Sequence, residues 1–394
     1  MRAHTRILAL LTALILIVGL FTGCSDTKDP GTVDPGTTPG TDPGTDPGKD
    51  MDAKENMIAL ILNEGGLGDH GFNDGAAEGL KELERLYGIK SITVEPADVS
   101  QGELIIREVA EEGYGLIIIM DYTVMTETYK VVNDYPDQIF VPLGMPTSWR
   151  PEEKYANVVD SQFLLPEHTF LAGVAAAFVA TDGNEIVDGV GNRPGVNIGC
   201  IFPTESVGFY RYFDAFQHGA HYYNDNVNIQ VDYTVGNTDT ALCQTVAENM
   251  IKNQNCDVIW TCCGTAGLGG LQACRMNNAF GIGVDNDQDA VEDGYILTSV
   301  VRDTGRNMVI LGELWQEGTL LEQDEFIWGV GSEILRLTDM SVIEKHVTNP
   351  EKFQELKTLL ADLKEQIASG ELVPFDTYTH GEVRFEQWWA DQKK

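Results

Sequence analysis

Two stretches of this chain repeat one rhythm: a short, unbroken apolar segment, a turn, then a helical stretch. In the first, Met57-Ile-Ala-Leu-Ile-Leu62 reads as a strand buried on both faces. A glycine-rich turn and a helix over 75–87 follow it. Ser91-Ile-Thr-Val94, Leu116-Ile-Ile-Ile-Met120 and Gln138-Ile-Phe-Val-Pro142 read as further strands. Ser100 with Glu103 has the spacing of a capping box for a helix over 104–111. The second stretch starts at Val196-Asn-Ile-Gly-Cys-Ile201, with helices over 210–223 and 241–252 and strands over 227–235, 257–260 and 280–284. Strands alternating with helices give α/β units with parallel sheets, and two such runs predict two lobes. Ligands of such sheets bind beyond the carboxyl ends of the strands, so two facing lobes place a ligand between them. Phe353, Leu356, Leu359, Leu360, Leu363 and Ile367 have helical spacing and read as a packing stripe near the end of the chain.

The first 50 residues obey other rules. Arg2 and Arg6 precede an apolar run from Ile7 to Phe21, which is short for a membrane-spanning helix and has the layout of a secretory leader. It ends in Phe21-Thr-Gly-Cys24, similar to a bacterial lipobox except that Phe21 stands where Leu is usual. The expectation is a signal peptide over 1–23 and a lipid on Cys24; an ordinary leader with a chance cysteine is the alternative. Residues 24–53 form a linker rich in Pro, Gly, Thr and Asp, with too little apolar surface to fold and the character of a tether.

Net charge is -35, and removing Arg2 and Arg6 with the leader makes it about -37. Such a balance argues against nucleic acid and against adhesion to anionic lipid through surface charge. Six cysteines follow Cys24: Cys200, Cys243, Cys256, Cys262, Cys263 and Cys274. No C-x-x-C pair suggests zinc, and several sit in apolar segments, so buried thiols are expected, with disulfides left open. Asp285-Asn-Asp-Gln-Asp289 opens like a calcium loop, but Ala290 and Ile296 occupy the positions that need Gly and Glu. His218 and His221 share a helix face without a third ligand and read as surface or rim residues. No nucleophile elbow, catalytic residue, metal site or cofactor-binding loop is assigned.

The richest segment is Leu62-Asn-Glu-Gly-Gly-Leu-Gly-Asp-His-Gly-Phe-Asn-Asp74, between the first strand and first helix. By itself, Phe72 reads equally as a ligand-stacking ring or as a staple on its own helix. This segment resembles the "TDxGGxDDKSFNQ" opening of the basic membrane protein family of ABC-transporter binding lipoproteins, the purine nucleoside receptor A type. Six further segments agree in order. Phe170-Leu-Ala-Gly-Val-Ala-Ala176 is similar to "FLAGYLAA", and Tyr212-Phe-Asp-Ala-Phe-Gln-His-Gly-Ala220 to "FxxGFxxGA". Cys263-Gly-Thr-Ala-Gly-Leu-Gly269 resembles "AGGTGxG", Gly283-Val-Asp-Asn-Asp-Gln288 "GVDxDQ", and Thr298-Ser-Val-Val-Arg302 "TSxxK". Gly370-Glu-Leu-Val-Pro374 resembles the family's ending.

The resemblance implies a type I periplasmic-binding-protein fold: two Rossmann-like lobes with parallel sheets joined by hinge crossovers. The first lobe is expected over 54–162 plus about 286–322, the second over 163–285 plus about 323–394. It implies a monomeric binding protein without a cofactor, served by an ABC permease and ATPase encoded separately. A base would stack on Phe72 and on a second aromatic nearest Tyr212, with Tyr210 and Phe213 as neighbouring registers. Asn73 and Asp121 would meet the base edge, and Asn63, Asp285 and Arg302 the ribose. Gly264 and Gly267 would let backbone approach the ligand. Asn63 stands where the family has Asp, Arg302 where it has Lys, Tyr212 where it has Phe, and His70-Gly71 where it has Lys-Ser. These departures admit a modified nucleoside, a free base or another small polar metabolite. A sensor that passes occupancy to a membrane receptor and a nucleoside-processing enzyme using Asp285, Asp287 or Asp121 are the rival classes.

Overall fold

The structure, a computed structural model, describes residues 52–64, 66–181, 186–323, 325–381 and 383–393, all within one compact unit. The apolar leader, Cys24 and nearly all of the linker lie outside the described residues.

The first lobe is built on a parallel sheet of β1 (Met57–Ile61), β2 (Lys90–Val94), β3 (Leu116–Ile119) and β4 (Ile139–Pro142), in the order β2-β1-β3-β4. Residues 116–119 are wholly buried, as an apolar run covered on both faces requires, whereas edge strand β2 is part exposed. β5 (Asp160–Phe163) runs beside β4 through isolated bridges and pairs in parallel with a later strand described below. The second lobe holds β6 (Asn197–Ile201), β7 (Asn228–Asp232), β8 (Val258–Thr261), β9 (Phe280–Asp285) and β10 (Ile296–Arg302). The partner of β5 is β11 (Glu325–Trp328), and β12 (Leu335–Leu337) runs antiparallel to β10. The second sheet is ordered β12-β10-β9-β8-β6-β7, its other pairs parallel.

Helix Leu165–Thr181 is buried on almost every side. It meets helix Val207–Tyr223 so closely that a Cβ on Gly173 would lie 2.0 Å from the Phe216 carbonyl oxygen, and one on Gly219 1.9 Å from that of Phe170. Two glycines thus allow reciprocal backbone contact. Helix Phe72–Tyr87 and helix Thr304–Gln316 use the same device, with a Gly79 Cβ 2.3 Å from the Gly305 oxygen.

That last contact corrects the expected lobe boundaries. Of the segment expected to return over 286–322, helix Thr304–Gln316 packs on the first lobe, whereas β10 lies between β9 and β12 in the second sheet. All seven residues of β10 are buried, which suits a central strand and no edge position. β11, expected with the second lobe, pairs with β5 beside the first sheet. Smaller corrections follow from caps. Helix Val207–Tyr223 starts three residues early because Ser206 caps it, and Asp98, not Ser100, accepts the capping bond ahead of helix Gly102–Glu111. The stripe of helix Pro350–Ala368 packs into the core through Phe353, Leu356, Leu360, Leu363 and Ile367.

Candidate functional site

The carboxyl ends of β1, β3, β8, β9 and β10 open into one cavity of about 280 Å³. Its size is near the lower limit of small-molecule pockets, which start at roughly 300 Å³. The loop after β1 shapes one wall. Asp69 accepts the N–H groups of Gly71 at 2.9 Å, Asn73 at 2.9 Å and Asp74 at 3.1 Å, while Asp74 accepts those of Gly68 and His70. These two carboxylates satisfy five of the loop's backbone donors and hold its turns in shape from within. Gly66, Gly68 and His70 have positive φ, and their turns bring Phe72 to the cavity wall.

Asp121 follows β3. Its carboxylate caps the next short helix through Thr123 and Val124 and accepts Glu64 N–H at 2.9 Å, so it ties the β1 loop to β3. Asp285 ends β9 with φ 64°, the left-handed region that few side chains other than Asn and Asp enter readily. Its Oδ1 accepts Arg302 Nε at 3.2 Å and Nη2 at 2.9 Å. Arg302 Nη1 donates to Tyr122 Oη across the cleft at 2.8 Å. The guanidinium carbon lies 3.7 Å from the centroid of the Phe72 ring and 5.5 Å from that of Phe163. Such desolvated cation–π contacts are worth about 2 kcal/mol. Burial pushes the Asp285 carboxyl above its ordinary range, with Arg302 pulling the other way. The Arg302 guanidinium stays charged beside Asp285.

The structure brings Asn63, Phe72, Asp121, Tyr212, Gly264, Asp285 and Arg302 to this cavity. Asn73 and Gly267 are outside it. Asn73 is buried, accepts Asn63 N–H at 2.9 Å and donates to the Gly66 carbonyl at 3.0 Å, so its amide is spent on the loop. Gly267 begins helix Gly267–Met276, where a Cβ would lie 3.2 Å from Thr261 Oγ1; its small size serves packing on β8. Among the neighbouring aromatics, Tyr212 lines the cavity, Tyr210 bonds Glu205 under Arg384, and Phe213 packs on Phe202. Phe209, Tyr122, Asn237 and Thr238 line the cavity without having been singled out. Phe209 lies three residues before Tyr212 on the same helix, a spacing that could have found it. Tyr122 directly follows Asp121 at a strand end.

His218 is buried, not a rim residue: its Nδ1 accepts Phe375 N–H at 2.9 Å, and burial lowers its pKa to about 4. The segment Asp285–Asp289 is a packed β9–β10 connection, with Gln288 accepting Val284 N–H and Asp289 accepting Ser299 Oγ–H. No group of three metal-binding side chains occurs among the described residues.

Two α/β lobes with parallel strands aimed at a shared cavity define the fold of the extracytoplasmic solute-binding proteins. A crystal structure of an ABC transporter solute-binding protein from Aeropyrum pernix K1 superposes with a TM-score of 0.68 at 23% identity, covering 82% of this chain and 95% of that one. The family model for ABC transporter substrate-binding proteins of the PnrA-like kind matches residues 57–370, and the chain belongs to this family. Its members are substrate-binding proteins, not enzymes. Basic membrane protein A1 of Borrelia garinii subsp. bavariensis is 26% identical over 262 residues, 66% of this chain and 72% of that protein. The ABC transporter nucleoside-binding protein BmpA of Lactococcus lactis subsp. cremoris is 24% identical over 281 residues, 66% of this chain and 75% of its own length. No helix among the described residues is long and apolar enough to cross a membrane.

Proposed function

We propose that this protein is a lipid-anchored, monomeric receptor on the outer face of the cell membrane that takes a purine nucleoside between its lobes. It hands the nucleoside to a permease and ATPase made as separate chains. The observation that carries the reading is the Phe72–Arg302–Asp285 assembly at the strand ends of a cavity also lined by Tyr212. A flat base adds a layer to the Phe72–Arg302 stack, and ribose hydroxyls donate to Asp285 and accept from Arg302. Asn63 and the spare lone pairs of Asp121 suit the polar edge of a base. Asn73 and Gly267 act indirectly, by shaping the loop and the helix start. Glu64, Asp69, Asp121 and Asp285 outnumber the single Arg302 around the cavity, which argues against a phosphorylated ligand. The name of the Lactococcus relative points the same way. The lipid would sit on Cys24, with the linker as tether.

Thermal melting of the protein begun at Asp52, screened against nucleosides, nucleotides, bases and sugars, tests this. A nucleoside at one hundred times its Kd stabilises the fold by about 2.7 kcal/mol. The expected result is a shift with a purine nucleoside, none with its monophosphate, and loss of the shift in Phe72→Ala. A shift with sugars alone would overturn the nucleoside assignment.

A further inference from the structure

The family match ends at residue 370, yet the chain after it is tied to the ligand-site helix by buried bonds. Asp376 accepts Arg211 Nε at 2.8 Å and Nη2 at 2.7 Å. Asp214, fully buried, accepts Arg384 Nη2 at 2.8 Å, Thr377 Oγ1 at 3.0 Å and Phe385 N–H at 3.2 Å. With His218 accepting from Phe375, the anchors Arg211, Asp214 and His218 recur at helical spacing along one face of helix Val207–Tyr223. Phe209 and Tyr212 of the same helix line the cavity.

The anchored segment also reaches the other lobe. Tyr378 lies under Arg211, whose guanidinium carbon is 4.8 Å from its ring centroid, and packs against Trp149 with centroids 6.0 Å apart. Trp149 follows β4 of the first lobe and meets Tyr122 edge-on at 6.4 Å. Tyr122 Oη accepts the Arg302 bond. Unbroken contacts therefore run from the tail, across the lobes, to the arginine that lies on Phe72.

We infer that residues 375–381 and 383–389 form a strap that positions the ligand site from outside it, and that the Tyr378–Trp149 contact latches the two lobes in the closed arrangement. Tyr378 is a positioning residue: it does not line the cavity, but when the lobes part its ring must leave Trp149. The latch acts on release more than on capture, because it is formed only when the lobes are together.

The test uses Tyr378→Ala and Tyr378→Phe in the otherwise unaltered chain. Stopped-flow release of inosine and adenosine is the first readout. An aromatic pair of this kind is worth about 0.5–1.5 kcal/mol, so Tyr378→Ala should release ligand roughly two- to tenfold faster. Its association rate and ligand-free melting temperature should stay close to wild type, and Tyr378→Phe should restore slow release. Unchanged release in Tyr378→Ala, or faster release matched by a lowered melting temperature that Phe does not restore, would overturn the latch. The inference rests on the nucleoside reading only for its probe. If wild type binds neither nucleoside, that reading fails by itself, and the latch is decided with the nucleotide, base or sugar that raises the melting temperature in the screen above. Roughly two- to tenfold faster release of that compound from Tyr378→Ala alone supports the latch; equal release from all three proteins sinks it.

Discussion

Arg302 holds three partners at once: a carboxylate, a phenol and an aromatic face. Removing it leaves Asp285, part-buried in the cavity wall, without its cation. Arg302→Ala should therefore lower stability by about 3 kcal/mol at pH 7, visible in the urea midpoint. Adding Asp285→Asn should recover much of the loss, because the unpaired charge is what costs. Arg302→Lys keeps the charge but not the planar fork, so it should weaken ligand binding more than stability. The motif pattern in the sequence led to seven residues that line the cavity, but it was blind to direction. Asn73 adjoins Phe72 in the motif, yet its amide turns into the loop, and Gly267 packs on a strand. Neighbours on a turn or helix start point to different sides, and only the three-dimensional path decides which meets the ligand. Phe72 showed the converse: read from sequence as either a stacking ring or a staple, it reaches the cavity, with Arg302 over one face.

Elements were legible where a single period dominated. The apolar runs of β1, β3 and β8 and the helical stripe of 350–368 needed no tertiary information. β10 was among the elements missed. Its segment Ile296-Leu-Thr-Ser-Val-Val-Arg302 is wholly buried, but hydroxyls interrupt its apolar run and it matches the family's TSxxK pattern, so it read as a motif rather than a strand. Lobe membership was also illegible, because a crossover is defined by the sheet a strand joins, not by composition. The helix pair 165–181 and 207–223 gives a sharp test at this scale. Gly173→Ala and Gly219→Ala each place a methyl about 2 Å from a facing carbonyl oxygen, so each should cost more than the usual 1–3 kcal/mol of an overpacked core. Circular dichroism melts would register the loss, while Gly318→Ala, where a Cβ meets open space but φ is 73°, should cost only about 1–2 kcal/mol.

Taken as a whole, the molecule buries ionisable groups whose responses to pH oppose one another. Burial lowers His168 to about 3, well below its ordinary 6.5, and His218 to about 4. As pH falls through 6.5, the unfolded chain takes up protons that these imidazoles refuse, so their contribution to stability is lost on acidification. Asp289 runs the other way: burial raises its carboxyl to about 6, so its proton stabilises the fold at low pH and that contribution fades between pH 3.8 and 6. Two variants separate these signs in urea titrations. His168→Gln should lose less stability than wild type between pH 7 and 4.5. Asp289→Asn should gain up to about 3 kcal/mol over wild type at pH 8, and little at pH 3.5.

The six cysteines of the described residues are all buried, and burial pushes the thiols of Cys200, Cys262 and Cys274 upward and that of Cys256 to about 12. Alkylating dyes react with exposed thiolates, so the folded domain offers them no foothold. Leu67 is exposed on the loop whose neighbour, the Gly68 carbonyl, accepts a bond from Thr265 of the opposite lobe. A cysteine placed there would carry a fluorophore at one defined address beside the cleft, making this chain a ready chassis for a reagentless optical sensor of whatever it binds.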